Sequence, residues 1–416
     1  MNGLAGHVRA AQSRPRHCLL FAALVLAAGA ALCALSCSRD AGAKVVPVTR
    51  IVVVTPGEAL CPREFRGAES LVRAFPAGSP RGEAAHSVLP DKAKGGSEAA
   101  LASFIVEAAA DPRVKALIVD PALPGTAEGF RRAKGARPEL LCLACGGGDD
   151  DLELEASADL VIDLDRVYRA YLIPWGAKKM GAKALVALYT KDEGGDPRAT
   201  RECAIMTAAC ADLELKYSVF SVPAGVDASA YARAMSGSWL HELGRDTAFY
   251  CSEPQLVAPL IAGAVAGGAI VADLAGEATR AVYAAALGLD LAPAKGEARK
   301  ERILLEGALA ALGSRGRLGL WDRDYDQASL AGLGEFSFRL VKGGARRDDL
   351  KALTAALDQS SPGSAWLAAY DVDPATGVAS ANRVLLRQDV YVLGTGYLQS
   401  ALQVVPGKYL RLGSGR

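Results

Sequence analysis

Short apolar runs, each followed by a helical stretch, set the strongest limit on how this chain can fold. Ile51–Val54, Val114–Val119, Leu140–Ala144, Leu160–Leu164, Ala184–Tyr189, Tyr217–Val222, Thr247–Cys251 and Ile270–Leu274 read as strands. Phe65–Phe75, Ala99–Ala110, Thr126–Ala136, Ala228–Leu243 and Pro254–Ala266 read as helices. On Ala99–Ala110, the side chains of Leu101, Phe104, Ile105 and Ala108 share one face. Asp196-Pro197 puts a capping carboxylate before a proline at the first helical position, a favoured helix start. Runs without polar alternation predict strands buried on both faces, and strands alternating with helices predict parallel α/β sheets. Two successive series fit two Rossmann-like lobes joined by hinge strands. The expected lobe 1 takes 48–181 plus about 321–350, and lobe 2 takes 182–320 plus about 351–416. Trp366–Asp371, a turn over Asp373–Gly377, and Val384–Leu393 predict a C-terminal β-hairpin.

The N-terminus reads as an export signal. Arg9, Arg14 and Arg16 form a basic stretch with no acidic residue before Asp40. An uncharged run rich in Leu, Ala and Val follows from Cys18 to Ser36, and then comes Cys37. Ala34-Leu35-Ser36-Cys37 resembles a lipobox, in which the cysteine becomes the lipid-bearing first residue, although Leu35 is larger than usual there. The expected order is a signal peptide over 1–36, a small polar tether over 37–47, and a lipid on Cys37 that anchors the body to a bacterial membrane. An ordinary signal peptide or an uncleaved anchor are the alternatives. The run is 19 residues against the roughly 20 that a spanning helix needs. All three readings put the body outside the cytoplasm, on the periplasmic face or the cell surface.

Charge and cysteine usage then narrow the partners. Without the three leader arginines, the 47 basic residues fall to 44 against 46 acidic ones. That balance, with no basic stripe among aromatics, predicts no nucleic-acid partner. Six cysteines follow Cys37: Cys61, Cys142, Cys145, Cys203, Cys210 and Cys251. Cys203, Met206 and Cys210 fall on one helical stripe, so the two thiols sit two turns apart and read as core. Cys142 and Cys145 have C-x-x-C spacing, but no second pair and no nearby His supports a metal.

Several segments in order resemble an uncharacterised family of bacterial lipoproteins, a domain of unknown function with the type 1 periplasmic-binding-protein fold. They are Phe65-Arg-Gly-Ala-Glu69, Asp120-Pro-Ala-Leu-Pro-Gly-Thr126 and Asp163-Leu-Asp-Arg-Val-Tyr-Arg-Ala-Tyr-Leu-Ile-Pro174, then Lys178–Lys183, Asp246–Cys251 and Gly319-Leu-Trp321. The resemblance implies the fold over roughly 50 to 350 and brings no ligand with it. The chain departs from the family at Pro56, Cys61 and Pro62 after the first strand, and at Gly146–Asp151.

In open parallel sheets a ligand sits beyond the carboxyl ends of the strands. The candidate ligand-binding residues are therefore Thr55, Asp120, Asp163 and Asp165 in the first lobe, and Thr190, Ser252, Glu253 and Asp290 in the second. Arg169 joins them beside these carboxylates, and Trp321 and Tyr325 lie near a predicted hinge crossing. Carboxylates suit sugar hydroxyls or amines, and aromatic faces suit sugar CH groups or bases. Asp165 fits a helix cap equally well, Trp321 fits ordinary core, and Asp120 before Pro121 fits a closed turn. Cys145-Gly-Gly-Gly-Asp-Asp-Asp151 lacks the Lys-Ser/Thr of a phosphate loop and the spacing of a calcium loop. Only His86 and His241 lie outside the leader, and no nucleophile or zinc motif is present, so no catalytic residue, metal or cofactor is expected. The expected function is capture of a small polar ligand, such as a sugar or nucleoside, in an interlobe cleft. An ABC permease is the expected partner, and the membrane is touched through the lipid alone. A ligand-sensing lipoprotein that feeds a receptor is the alternative. A cytoplasmic regulator of this fold would need a helix-turn-helix where the leader stands.

Overall fold

Strand β1 (Arg50–Thr55) shows why the apolar runs alternate with helices. Ile51 and Val53 enter one core and Val52 and Val54 another, so both faces of the strand are buried. The computed structural model describes residues 49–90, 97–146, 152–190, 197–274, 279–321, 323–362 and 365–412. The segments expected to be a signal peptide and a tether, with Cys37, lie outside these, as does most of the stretch Gly146–Asp151. Everything described belongs to one unit, Val48–Arg416.

After β1 come α1 (Pro62–Ala74), β2 (Glu83–Val88), α2 (Glu98–Ala108), β3 (Val114–Val119), α3 (Thr126–Ala136), β4 (Leu141–Cys145), α4 (Leu152–Ser157) and β5 (Leu160–Leu164). The chain then enters α5 (Arg166–Lys179), β6 (Ala184–Tyr189), α6 (Pro197–Asp212), β7 (Lys216–Ser221), α7 (Ala228–Leu243), β8 (Thr247–Cys251), α8 (Pro254–Gly267) and β9 (Ile270–Val271). It continues through α9 (Arg280–Leu287), α10 (Ala298–Ala311), β10 (Gly319–Leu320), α11 (Tyr325–Val341) and α12 (Leu350–Ser360). The tail carries β11 (Trp366–Val372), β12 (Ala379–Gln388), β13 (Tyr391–Val392) and β14 (Gly396–Tyr397).

Among the described residues, lobe 1 is a seven-stranded sheet in the order β11-β12-β5-β4-β3-β1-β2, parallel except for the edge strand β11. Lobe 2 is a parallel sheet in the order β7-β6-β8-β9, extended by a bridge from Val271 to Leu318. Its two faces are filled as in lobe 1: Val186 and Leu188 of β6 enter one core, and Leu185, Ala187 and Tyr189 the other. The chain changes lobe three times among the described residues: between β5 and α5, between β10 and α11, and between β12 and β13. This is the two-lobed α/β architecture with hinge crossings.

Two expectations need correction. The hairpin does not belong to lobe 2, where the division at about 351–416 put it. β12 lies in register beside β5 of lobe 1, with Val384 opposite Ile162 and Leu386 opposite Leu164. Arg383 gives the reason: it is fully buried and needs carboxylates, and only this placement supplies Asp163 at 2.6 Å and Glu155 at 3.1 Å. The single strand expected over Val384–Leu393 is accordingly broken at Asp389, where the chain returns to lobe 2. The Asp389 carboxylate accepts from the backbone N–H groups of Gln399 and Ser400 at 3.0 and 2.7 Å and closes that crossing.

The cysteines follow their sheets. Cys142 and Cys145 point to opposite faces of β4, into different cores, and burial pushes the Cys142 thiol up to about 12. Cys203 and Cys210 are buried on α6, and all six described cysteines are free.

Helix α11 is clamped between α1 and α12, and two glycines allow the approach. A Cβ on Gly332 would come within 2.9 Å of Leu357 Cα, and one on Gly334 within 2.5 Å of Leu71. Gly332→Ala should therefore cost about 1–3 kcal/mol through overpacking, read as a lower urea midpoint with an unchanged slope. Gly135 on α3 meets nothing within 4 Å. Gly135→Ala should be neutral or stabilising by up to about 1 kcal/mol. Equal effects at the two positions would refute the clamp.

Candidate functional site

All strands of lobe 1 but β11 end on one side of the sheet, and that side gathers the polar candidates. Thr55 closes β1 and is fully buried. Its Oγ lies 2.8 Å from the Pro56 carbonyl oxygen and 2.8 Å from His86 Nε2, and His86 Nδ1 lies 2.9 Å from a Glu69 oxygen. The spacing is that of a nucleophile, base and orienting acid, but the hydroxyl is closed to solvent and already engaged. The set holds the β1 loop in place. His86 went unplaced in the sequence because β2 is a polar edge strand, Glu-Ala-Ala-His-Ser-Val, with no apolar run to mark it.

Asp120 sits at the end of β3. Its backbone N–H donates to Val54 O at 3.0 Å, which fixes it beside the end of β1. The residue is 3 % exposed, and its Oδ2 has no hydrogen-bond partner among the described residues. Burial first, then the nearby Asp326 and Glu64 carboxylates, hold its carboxyl well above the usual range, against a smaller pull from Arg63. Asp326 lies in the first turn of α11, with Arg63 of α1 at 3.2 Å. Burial raises it to about 7 despite that arginine, and Asp324, the α11 cap, is raised too. The Tyr325 hydroxyl is buried without a partner among the described residues, and its ring meets Trp321 and Trp366 at centroid distances of 6.2 and 6.0 Å.

The hinge crossings form a second, better-satisfied polar group. Arg169 of α5 makes a two-pronged bond to Asp273 beyond β9, at 2.8 and 3.2 Å. Its guanidinium also lies over the Trp321 ring at 5.6 Å and the Tyr250 ring at 5.9 Å. Burial opposes the Arg169 charge, but Asp273 outweighs it and keeps the group protonated. Asp165 accepts from Tyr168 N at 3.1 Å as the α5 cap and from Arg387 Nε at 2.7 Å. Of the two roles considered for it, cap and ligand contact, the cap is the one seen, and its other oxygen is engaged by Arg387. Trp321 is 2 % exposed, packed with Val390 and Val392, and its indole N–H has no partner among the described residues. It is hinge core rather than a platform open to solvent. Asp165, Arg169 and Trp321 do share a cavity of about 30 Å³ with Asp273, Arg387 and Gln388, room for a water or two. Asp273, Arg387 and Gln388 were missed because nothing local in the sequence marks them.

In lobe 2, Thr190, Ser252 and Glu253 are half-buried beyond β6 and β8, where a ligand would meet them. Asp290 is not with them. It lies on an exposed turn past the C-terminus of α9, where its carboxylate accepts from Ala292 N at 2.8 Å. A carboxylate two residues before a free backbone N–H closes a turn by itself.

A family model described as "Protein of unknown function (DUF3798)" matches residues 49–319. The chain belongs to this family. A second family model matches residues 330–412. An uncharacterised protein of Treponema pallidum (strain Nichols) is 31 % identical to this DUF3798 chain over 216 residues, 50 % of this chain and 98 % of that protein. Among solved structures, a "Putative transcriptional regulator" from Clostridium difficile 630 superposes with a TM-score of 0.70. It is 18 % identical and covers 83 % of this chain and 100 % of its own. A sugar ABC transporter protein from Actinomyces odontolyticus ATCC 17982 gives a TM-score of 0.45 at 14 % identity, over 74 % of this chain and 88 % of that one. This DUF3798 chain thus shares its two-lobed α/β fold with the Clostridium difficile protein of known structure.

The raised carboxyls give the site a pH signature. A carboxyl whose folded value lies above its unfolded value binds more protons in the folded state, so its contribution is full below about pH 4 and lost as pH rises. For Asp326 the loss runs from the ordinary carboxyl value of 3.8 to about 7. Asp326→Asn should therefore gain on the wild type as pH rises from 4 to 8, by on the order of 1–3 kcal/mol, since the side chain stays 20 % exposed. Urea midpoints at the two pH values measure this. A gap that does not change with pH would show that Asp326 keeps an ordinary carboxyl.

Proposed function

We propose that this chain is an extracytoplasmic solute-binding lipoprotein, tethered by a lipid on Cys37, that captures a small polar ligand between its lobes for an ABC importer. The observation that carries this reading is Asp120. A buried carboxyl oxygen without a partner is costly, and this one lies beyond the carboxyl end of a central strand, the place where α/β sheets bind ligands. The three lobe crossings support a hinge about which the lobes close on the ligand. Thr190, Ser252 and Glu253 would then meet the ligand from the other side. Binding is favoured over catalysis because the one nucleophile–histidine–carboxylate set among the described residues has its hydroxyl sealed in the core.

The reading is tested by thermal unfolding of the purified protein against sugars, nucleosides, amino acids and amines. A ligand at a hundredfold excess over its Kd should stabilise the folded state by about 2.7 kcal/mol. No shift with any of these classes would sink the reading. The anchor is tested separately. Cys37→Ala should accumulate as unprocessed, lipid-free precursor, and a variant processed and partitioned into detergent like the wild type would remove Cys37 from the account.

A further inference from the structure

The cleft face of lobe 1 is built from acceptors, with few donors to answer them. Two helices, α1 and α11, start side by side above the ends of β1 and β3. The closeness is fixed by Gly67, whose Cβ position lies 3.5 Å from the Asp326 carbonyl oxygen. Their first turns bring Glu64, Asp324 and Asp326 to the place where Asp120 ends β3. Against these four carboxyls stands Arg63, which Asp326 already holds at 3.2 Å. Asp163 is a separate case, because Arg383 takes it at 2.6 Å. Arg166, at the start of α5, is exposed.

The cluster alone would be a solvated acidic surface. Asp120 makes it more, because the residue is buried and its Oδ2 has no partner. The hydroxyl of Tyr325, which lies between Asp324 and Asp326 in sequence, is buried and unpartnered among the described residues as well. A neutral polyol offers donors and acceptors in equal measure and would want arginine or amide donors opposite. An anion would add a like charge to the cluster. An ammonium group brings three donors and no acceptor, and its charge offsets the burial and, after it, the neighbouring carboxylates that raise the Asp120 carboxyl.

We propose that the ligand of this cleft is a small organic cation, a primary amine or guanidinium compound, whose charged group docks on Asp120 beside the first turns of α1 and α11. The proposal rests on the solute-binding reading and names the class of solute. The test is calorimetric titration of the full chain at pH 7.5 with three sets of probes: putrescine, agmatine and ethanolamine as cations, ribose, inositol and adenosine as neutral compounds, and glucose 6-phosphate and citrate as anions. At least one cation should bind tenfold or more tightly than every neutral probe, and its affinity should fall as salt is raised. Asp120→Asn should weaken that cation at least tenfold while the protein unfolds at the wild-type urea midpoint or above it. Should Asp120→Asn fail to fold, Asp326→Asn serves in its place, with a smaller loss of at least threefold. A neutral or anionic probe that binds where no cation does would overturn the cation assignment and leave the solute-binding reading standing. Failure of every probe to bind would count against both. A cation that binds both variants as tightly as the wild type would overturn the place assigned to it.

Discussion

Burial of the parallel strands on both faces is the constraint that decides where everything else lies. A strand such as β1, with Ile51 and Val53 in one core and Val52 and Val54 in another, can take its parallel neighbour only through a helix that covers one of those faces. Repeating that step makes successive strands end on the same side. Thr55, Asp120 and Cys145 are thereby brought together from positions far apart in sequence, with no contact between their side chains needed to do it. The same rule in lobe 2 places Thr190, Ser252 and Asp273. The site follows from the sheet, and the sheet follows from the apolar runs.

For that reason the fold was largely legible in the sequence. Leu160–Leu164, Ala184–Tyr189, Thr247–Cys251, Thr126–Ala136 and Ala228–Leu243 have the expected bounds, because length, apolar continuity and caps all agree there. What escaped notice was governed by partners distant in sequence. Among the described strands β2 pairs only with β1, at the sheet edge, and can stay polar. The hairpin has the local pattern of a hairpin, but its lobe is chosen by Arg383, whose carboxylates lie more than 200 residues earlier.

The site was legible in part, for a related reason. Strand ends can be read off the sequence, so Thr55, Asp120, Thr190, Ser252 and Glu253 lie where expected. Whether a group at a strand end is free or already paired cannot be read in this way. Arg169 and Asp273 are 104 residues apart, and each satisfies the other. Trp321 looks the same in sequence whether its ring faces solvent or, as here, the guanidinium of Arg169 and the side chain of Val390. Asp290 differs: it was expected beyond a strand end in the second lobe, and the chain there makes a turn past α9 instead.

The hinge and the cleft divide the polar groups in a way that matters for motion. At the crossings most carboxylates are answered within the chain: Asp165 by Arg387, Asp273 by Arg169, Asp389 by the amides of residues 399 and 400. These bonds also tie the crossings to one another. Arg387 near the third crossing holds Asp165 of the first, and Trp321 of the second lies against Arg169, just past the first. Strands linked in this way bend as a unit and resist bending singly. On the cleft face of lobe 1 the balance is reversed, with Asp120 and the Tyr325 hydroxyl left without partners. A ligand shifts a two-state hinge only by interacting differently with its two arrangements. Groups already satisfied in the empty protein have little further to gain from closure. On the solute-binding reading proposed above, the groups that would supply a difference are therefore the unanswered ones in the cleft, and the tied crossings would give their pull one direction in which to move the lobes.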